Sequence, residues 1–78
     1  MDQLERIFRL HQLLRDRRYP VSRHQLMETF ECSEATVYRT VDKLRDVLGA
    51  PVESNEEGGW YYPRQGEAFE LPGLWFRR

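Results

Sequence analysis

Two helix-start signals stand eleven residues apart in this chain and leave room for only a tight turn between the helices they open. Ser22 is followed three residues later by Gln25, the reciprocal pair of a capping box, and Val21 before it is placed to staple onto Leu26. Ser33 repeats the signal, with Cys32 in front of it and Val37 as the apolar partner. The first signal predicts a helix over Arg23–Phe30 that buries Leu26, Met27 and Phe30. The second predicts a helix over Glu34–Leu48 that buries Val37, Val41, Leu44 and Leu48, at steps of four and three. Gly49 offers a left-handed stop, with Pro51 just beyond. Glu31 to Ser33 is all that separates the two helices, and that is the connection of a helix-turn-helix.

A third helix precedes them. From Asp2 to Arg17 an apolar stripe runs through Leu4, Ile7, Phe8, Leu10, His11, Leu13 and Leu14. His11 on that stripe reads as a partly buried, hydrogen-bonded side chain, not a ligand. Tyr19-Pro20 closes the helix, because proline disfavours helical geometry in the residue before it. After Gly49 the pattern changes. Val52–Ser54 and Trp60–Tyr62 are β-favouring runs around the turn-rich Asn55–Gly59, and alternation sets Trp60 and Tyr62 on one face with Tyr61 on the other. A lone hairpin is marginal, so the Trp60/Tyr62 face is expected to pack on the helices. The expected fold is mainly α with a small β-hairpin: a winged helix-turn-helix of three helices plus a wing. It is assigned to residues 1–63, with 64–78 as a C-terminal extension.

Composition narrows the function classes. With one cysteine the chain has no internal disulfide framework, which suits a reducing cytoplasm. One Cys and two His without knuckle spacing supply no zinc site. No Gly-rich phosphate loop and no nucleophile–base–orienter set is present, so neither an enzyme nor a cofactor is expected. Ser22, His24 and Glu28 are near one another in sequence, but a capping serine and a surface histidine account for them. Cys32 is expected to be buried and structural, since it precedes a cap and has an apolar partner. No apolar run approaches the roughly 20 residues that cross a bilayer, and no membrane partner is expected. The net charge of −1 is unevenly spread: residues 9–23 hold Arg9, Arg15, Arg17, Arg18 and Arg23 against Asp16 alone. Such a run is either a solvated surface or a phosphate-facing patch, because local potential steers DNA more than net charge does.

With Val37, Val41 and Leu44 turned inward, the other side of the Glu34–Leu48 helix shows Glu34, Thr36, Tyr38, Arg39, Thr40 and Lys43. Arginine pairs with guanine edges, threonine meets the thymine methyl, and lysine or tyrosine reaches phosphate. The free N–H groups at the helix start favour phosphate as well. The bland alternative is a solvated face on which Arg39 and Lys43 pair with Glu34, Asp42 or Asp46.

Three stretches taken in order carry a family likeness: LERIFRLHQLLRDRRYPVS, CSEATVYRTVDKLRDVLGAPVES and GGWYYPRQGEAFELPGLWF. The chain resembles the N-terminal winged helix-turn-helix of bacterial WYL-domain transcriptional regulators, akin to DeoR-type DNA-binding domains. In the third stretch that family tends to show Gly-Gly-Tyr-x-Leu and then Leu-Pro. The resemblance implies sequence-specific binding of double-stranded DNA by a cytoplasmic homodimer, typically a repressor on an inverted-repeat operator, with a sensor domain following in full-length members. It places the recognition face on Ser33, Glu34, Thr36, Tyr38, Arg39 and Lys43, a backbone clamp on Arg23, and wing contacts between Asn55 and Tyr61. The chain departs from the pattern at Glu31, where glycine is usual, at Met27, where alanine is usual, and at the wing tip, where Glu56 and Glu57 would repel phosphate.

Two expectations remain open in the sequence. The same fold also serves as a protein–protein interaction module without DNA binding, and the acidic wing favours that alternative. Of the apolar Leu71, Leu74, Trp75 and Phe76, some are expected to fold back on the first helix near Leu4, Phe8 and His11 and the remainder to join a two-fold partner or a following domain; the bland alternative is that all four cap the monomer's own core.

Overall fold

The computed structural model describes residues 1–17 and 19–63. Helix α1 spans Gln3–Asp16, α2 Arg23–Phe30 and α3 Glu34–Asp42; a π-helical segment, Lys43–Val47, continues α3. Strands β1 (Glu53–Ser54) and β2 (Trp60–Tyr61) pair antiparallel, Glu53 opposite Tyr61 and Ser54 opposite Trp60. Three helices and a two-stranded wing make a winged helix-turn-helix.

Each helix start has its cap. The Asp2 side chain accepts from Glu5 N at 2.8 Å and opens α1 one residue later than the apolar pattern suggested. Ser22 and Gln25 close a full capping box: Gln25 N donates to Ser22 Oγ at 3.1 Å and Ser22 N to Gln25 Oε1 at 3.0 Å. Thr36 N donates to Ser33 Oγ at 3.2 Å. The turn between α2 and α3 closes through Cys32 N to Met27 O at 3.1 Å, with Glu31 left-handed at φ 52°. A side chain thus occupies a conformation that glycine adopts without strain.

Several expectations are corrected. The α-helix over Glu34–Leu48 ends at Asp42, and the remaining turn is π: Leu48 N reaches back five residues to Lys43 O at 3.1 Å. The widened turn packs on α1 with Leu44 buried, leaves Leu48 half-buried, and Gly49 (φ 78°) then breaks the chain away. Helix α1 stops at Asp16, with Arg17 already extended, so it ends ahead of Pro20. Leu4 is 55 % exposed. It lies a turn ahead of Ile7, where the buried stripe begins among the described residues. Met27 and Cys32 are half-buried at the edge of the core instead of inside it.

The core gathers Ile7, Leu10 and Leu14 from α1, Leu26 and Phe30 from α2, Val37 and Val41 from α3, and Trp60 from the wing. Two links tie the wing to the helices. Val21 and Trp60 exchange both backbone hydrogen bonds, at 2.8 and 2.9 Å, so the residue before the α2 capping box extends the little sheet. Fully buried His11 shares a hydrogen bond with the Tyr62 hydroxyl at 2.9 Å, joining α1 to the chain just past β2. Gly59 suits a close approach: a Cβ there would stand 3.0 Å from Pro20 Cβ, and the turn would have to give by a few tenths of an ångström to admit it. Leu71, Leu74, Trp75 and Phe76, and with them the expected cover for α1, lie outside the described residues.

Candidate nucleic-acid interface

Helix α3 presents its outward side because its inward side is fully used. Val37, Thr40 and Val41 are buried. Thr40 is therefore no member of the outward face. Its hydroxyl donates to Thr36 O one turn back, at 2.7 Å, which satisfies the polar atom inside the core. Glu34, Tyr38, Arg39 and Lys43 are exposed, with Thr36 half-buried among them.

The start of the helix is a small polar cluster. Ser33 Oγ, besides capping, donates to Thr36 Oγ1 at 3.1 Å, and Arg39 Nη2 donates to the same oxygen at 3.4 Å. The threonine thus lays Arg39 back along the first turn of α3. One turn over, Tyr38 is held from two sides. Its ring stands edge-on to Trp60, centroids 5.6 Å apart at 83°, and its hydroxyl accepts from Arg23 Nη1 at 3.4 Å. Arg23 also pairs with Glu34 at 3.4 Å. These contacts, the Tyr38 bond first and the Glu34 charge second, hold the Arg23 guanidinium above its ordinary range. It keeps its charge at any physiological pH.

The acids that could have silenced the outward cations have another partner. Arg45, within the π segment, takes Asp42 at 2.8 Å and Asp46 at 3.1 Å. Among the described residues, neither Arg39 nor Lys43 pairs with Glu34, Asp42 or Asp46, so the solvated-face alternative does not hold in that form. Arg39 projects from α3, whose first N–H groups have no acceptor within the helix, and Lys43 from the π segment that continues it.

The wing residues fare differently. Asn55 Oδ1 accepts from Glu57 N at 3.1 Å and Gly59 N at 2.7 Å, so its carbonyl holds the turn together. Tyr61 is half-buried opposite Glu53, while Glu56 and Glu57 stand exposed at the tip beside Gly58 (φ 89°). In the basic run, Arg9 pairs with Glu5 at 3.6 Å on its own helix and Arg23 is joined to α3, while Arg18 lies outside the described residues. The structure therefore links Arg23, Glu34 and Tyr38 in one group and Ser33, Thr36 and Arg39 in another on the first turns of α3, with Lys43 just past its end. Asn55 and Tyr61 belong to the wing's own framework.

Sequence reasoning missed two supporting residues. Trp60 was read only as a packing face, yet it also braces Tyr38. Arg45 went unremarked, although its spacing of three from Asp42 and one from Asp46 was visible.

Searches of curated proteins and of solved structures return no match. The family model described as an HTH domain matches residues 6–61, which takes in most of α1, both helices of the motif and the wing strands. No described helix is long and apolar enough to cross a membrane. The capped helix pair, the tight left-handed turn between them and the match across most of the chain agree: this protein belongs to the helix-turn-helix (HTH) domain family.

Proposed function

We propose that the chain is a sequence-specific DNA-binding transcriptional regulator that reads the major groove with α3. The observation that supports this reading is the outward face of α3, where Arg39 and Lys43 keep their charges free of the neighbouring acids beside Tyr38 and the Ser33–Thr36 cap. Side chains at the start of a recognition helix are those that reach base edges, while basic groups around them settle on phosphate. Arg39 is assigned to a base edge or a flanking phosphate, Lys43 and Arg23 to phosphates, and Tyr38 to the groove wall.

The finer reading follows from the resemblance to WYL-domain, DeoR-like regulators. A single motif reads few base pairs, so two copies on an inverted repeat about one helical turn apart would supply the affinity. Occupancy of such an operator acts as repression, and a following sensor domain would set it. The exposed Glu56 and Glu57 favour a wing that stays out of the minor groove, and they also keep open the rival role of a protein-binding module.

Selection from a random DNA pool tests the proposal. The expected outcome is enrichment of a two-fold-symmetric site, whose binding weakens steeply as salt rises through counterion release. A pool that shows no enrichment, with duplex binding absent at low salt, would overturn DNA reading in favour of a protein partner.

A further inference from the structure

We propose that Glu34 is a specificity-determining residue of α3: it holds Arg23 in the free protein, yields it to a phosphate on binding, and then accepts a hydrogen bond from the exocyclic amine of a cytosine. The inference rests on the DNA-reading proposal and adds a role to one side chain of that site.

The geometry supplies the exchange. Arg23 is the first residue of α2 and Glu34 the first of α3, so the ion pair spans the starts of both helices of the motif. At 3.4 Å, with the two side chains 40 % and 54 % exposed, it is a solvated pair that opens readily. Among the described residues, the side-chain partners of Arg23 are both on α3: Glu34 and the Tyr38 hydroxyl. A phosphate offers it a stronger, two-pronged partner. Tyr38 need not move when Arg23 leaves, because Trp60 braces its ring independently.

The exchange leaves a carboxylate facing the duplex, where phosphates repel it unless it finds a donor. Major-groove chemistry restricts which base can supply one. Guanine shows only acceptors, and adenine sets its amine beside the N7 acceptor. Thymine shows an acceptor and a methyl group, while cytosine presents its N4 amine with no adjoining acceptor of its own. Glu34 therefore favours cytosine at one position and penalises every other base there. In the free protein it also masks Arg23, which lowers attraction to DNA of any sequence.

The test uses the 78-residue chain and its Glu34→Gln and Arg23→Gln variants, on the selected site, on copies with each cytosine replaced, and on unrelated duplex at several salt concentrations. The Glu34 side chain is exposed, and helical circular dichroism checks that the variant folds. Wild type should prefer cytosine at one position of each half-site by about five- to a hundredfold. Glu34→Gln should lose that preference and bind unrelated duplex more tightly. Arg23→Gln should weaken binding to all sequences alike and reduce the salt slope by about one, with the cytosine preference intact. A Glu34→Gln protein that keeps the base preference and its affinity for unrelated DNA overturns this proposal alone, since the wild type still reads the site. Absence of salt-dependent duplex binding by the wild type overturns both readings.

Discussion

Arg39 and Thr40 are adjacent on α3 and lead opposite lives. Arg39 lies exposed over the first turn, bonded to Thr36 Oγ1, whereas Thr40 is buried with its hydroxyl on Thr36 O. Arg39→Ala should cost about 1–3 kcal/mol of binding to a selected operator if the guanidinium pairs with a base. Thr40→Val keeps the volume and removes one local hydrogen bond, so operator affinity should be unchanged. A parallel titration of the two variants checks this, and equal losses would contradict the division of the helix into two faces. Glu31 is the other residue whose backbone matters. Relief of left-handed strain outweighs the added freedom of glycine in the unfolded chain, so Glu31→Gly should be stabilising by about 0.5–1 kcal/mol. A lower urea midpoint for Glu31→Gly would mean that the Glu31 side chain makes a compensating contact.

The elements are coupled through the wing. Trp60 takes both backbone bonds of Val21 and braces Tyr38, and Tyr62 bonds His11 on α1, so the hairpin acts as a clasp between all three helices. Tyr62→Phe removes the His11–Tyr62 hydrogen bond and should cost about 0.5–1.5 kcal/mol of stability. Burial of the Tyr62 phenol also sets an alkaline limit. Burial raises the Tyr62 phenol above its ordinary value, only partly offset by the Arg15 charge. The folded form therefore holds the phenolic proton more firmly than the unfolded chain does. This contribution is complete below the unfolded value of about 10 and is lost as pH climbs from there toward the folded value. Urea unfolding at stepped alkaline pH should show stability falling in wild type and a shallower fall in Tyr62→Phe. Equal slopes would place the alkaline sensitivity on other groups.

At the scale of the molecule, the placement of charge matters more than its sum. The net charge is −1, but Arg45 engages Asp42 and Asp46, so among the described residues Arg39 and Lys43 form no ion pair with those acids, while the acids of the wing tip stand on a separate element. Such a molecule is expected to bind DNA in one orientation, α3 toward the groove and the wing tip away from the phosphates. Two copies should occupy an inverted repeat. Analytical ultracentrifugation with operator DNA checks the stoichiometry, and one protein per full site at saturation would refute pairing. Deleting residues 70–78 should weaken pairing more than folding if Leu71, Leu74, Trp75 and Phe76 contribute to it.

Much of the architecture was legible without coordinates, because its signals are local. A serine with a partner three residues on, apolar steps of three and four, and a glycine after the last helical residue act within a turn or two of chain. Thus the helix-turn-helix, its caps and the Gly49 stop could be read from Ser22, Gln25, Ser33 and Leu44 themselves. The choice of outward residues was also mostly legible, since Val37 and Val41 assign Tyr38 and Arg39 to the other side. What only the tertiary structure decided depends on distant partners. Thr40 sits at the boundary between faces, and in the folded chain it is buried with its hydroxyl bonded to Thr36 O. The π turn at Lys43–Val47 keeps Leu44 buried against α1 while it redirects the chain, a demand that does not appear in the helix's own periodicity. The Val21–Trp60 bridge, the Tyr38–Trp60 brace and the His11–Tyr62 bond join residues 39, 22 and 51 positions apart. Sequence patterns report which side chains seek a partner, but the partner is chosen where the chain folds back on itself.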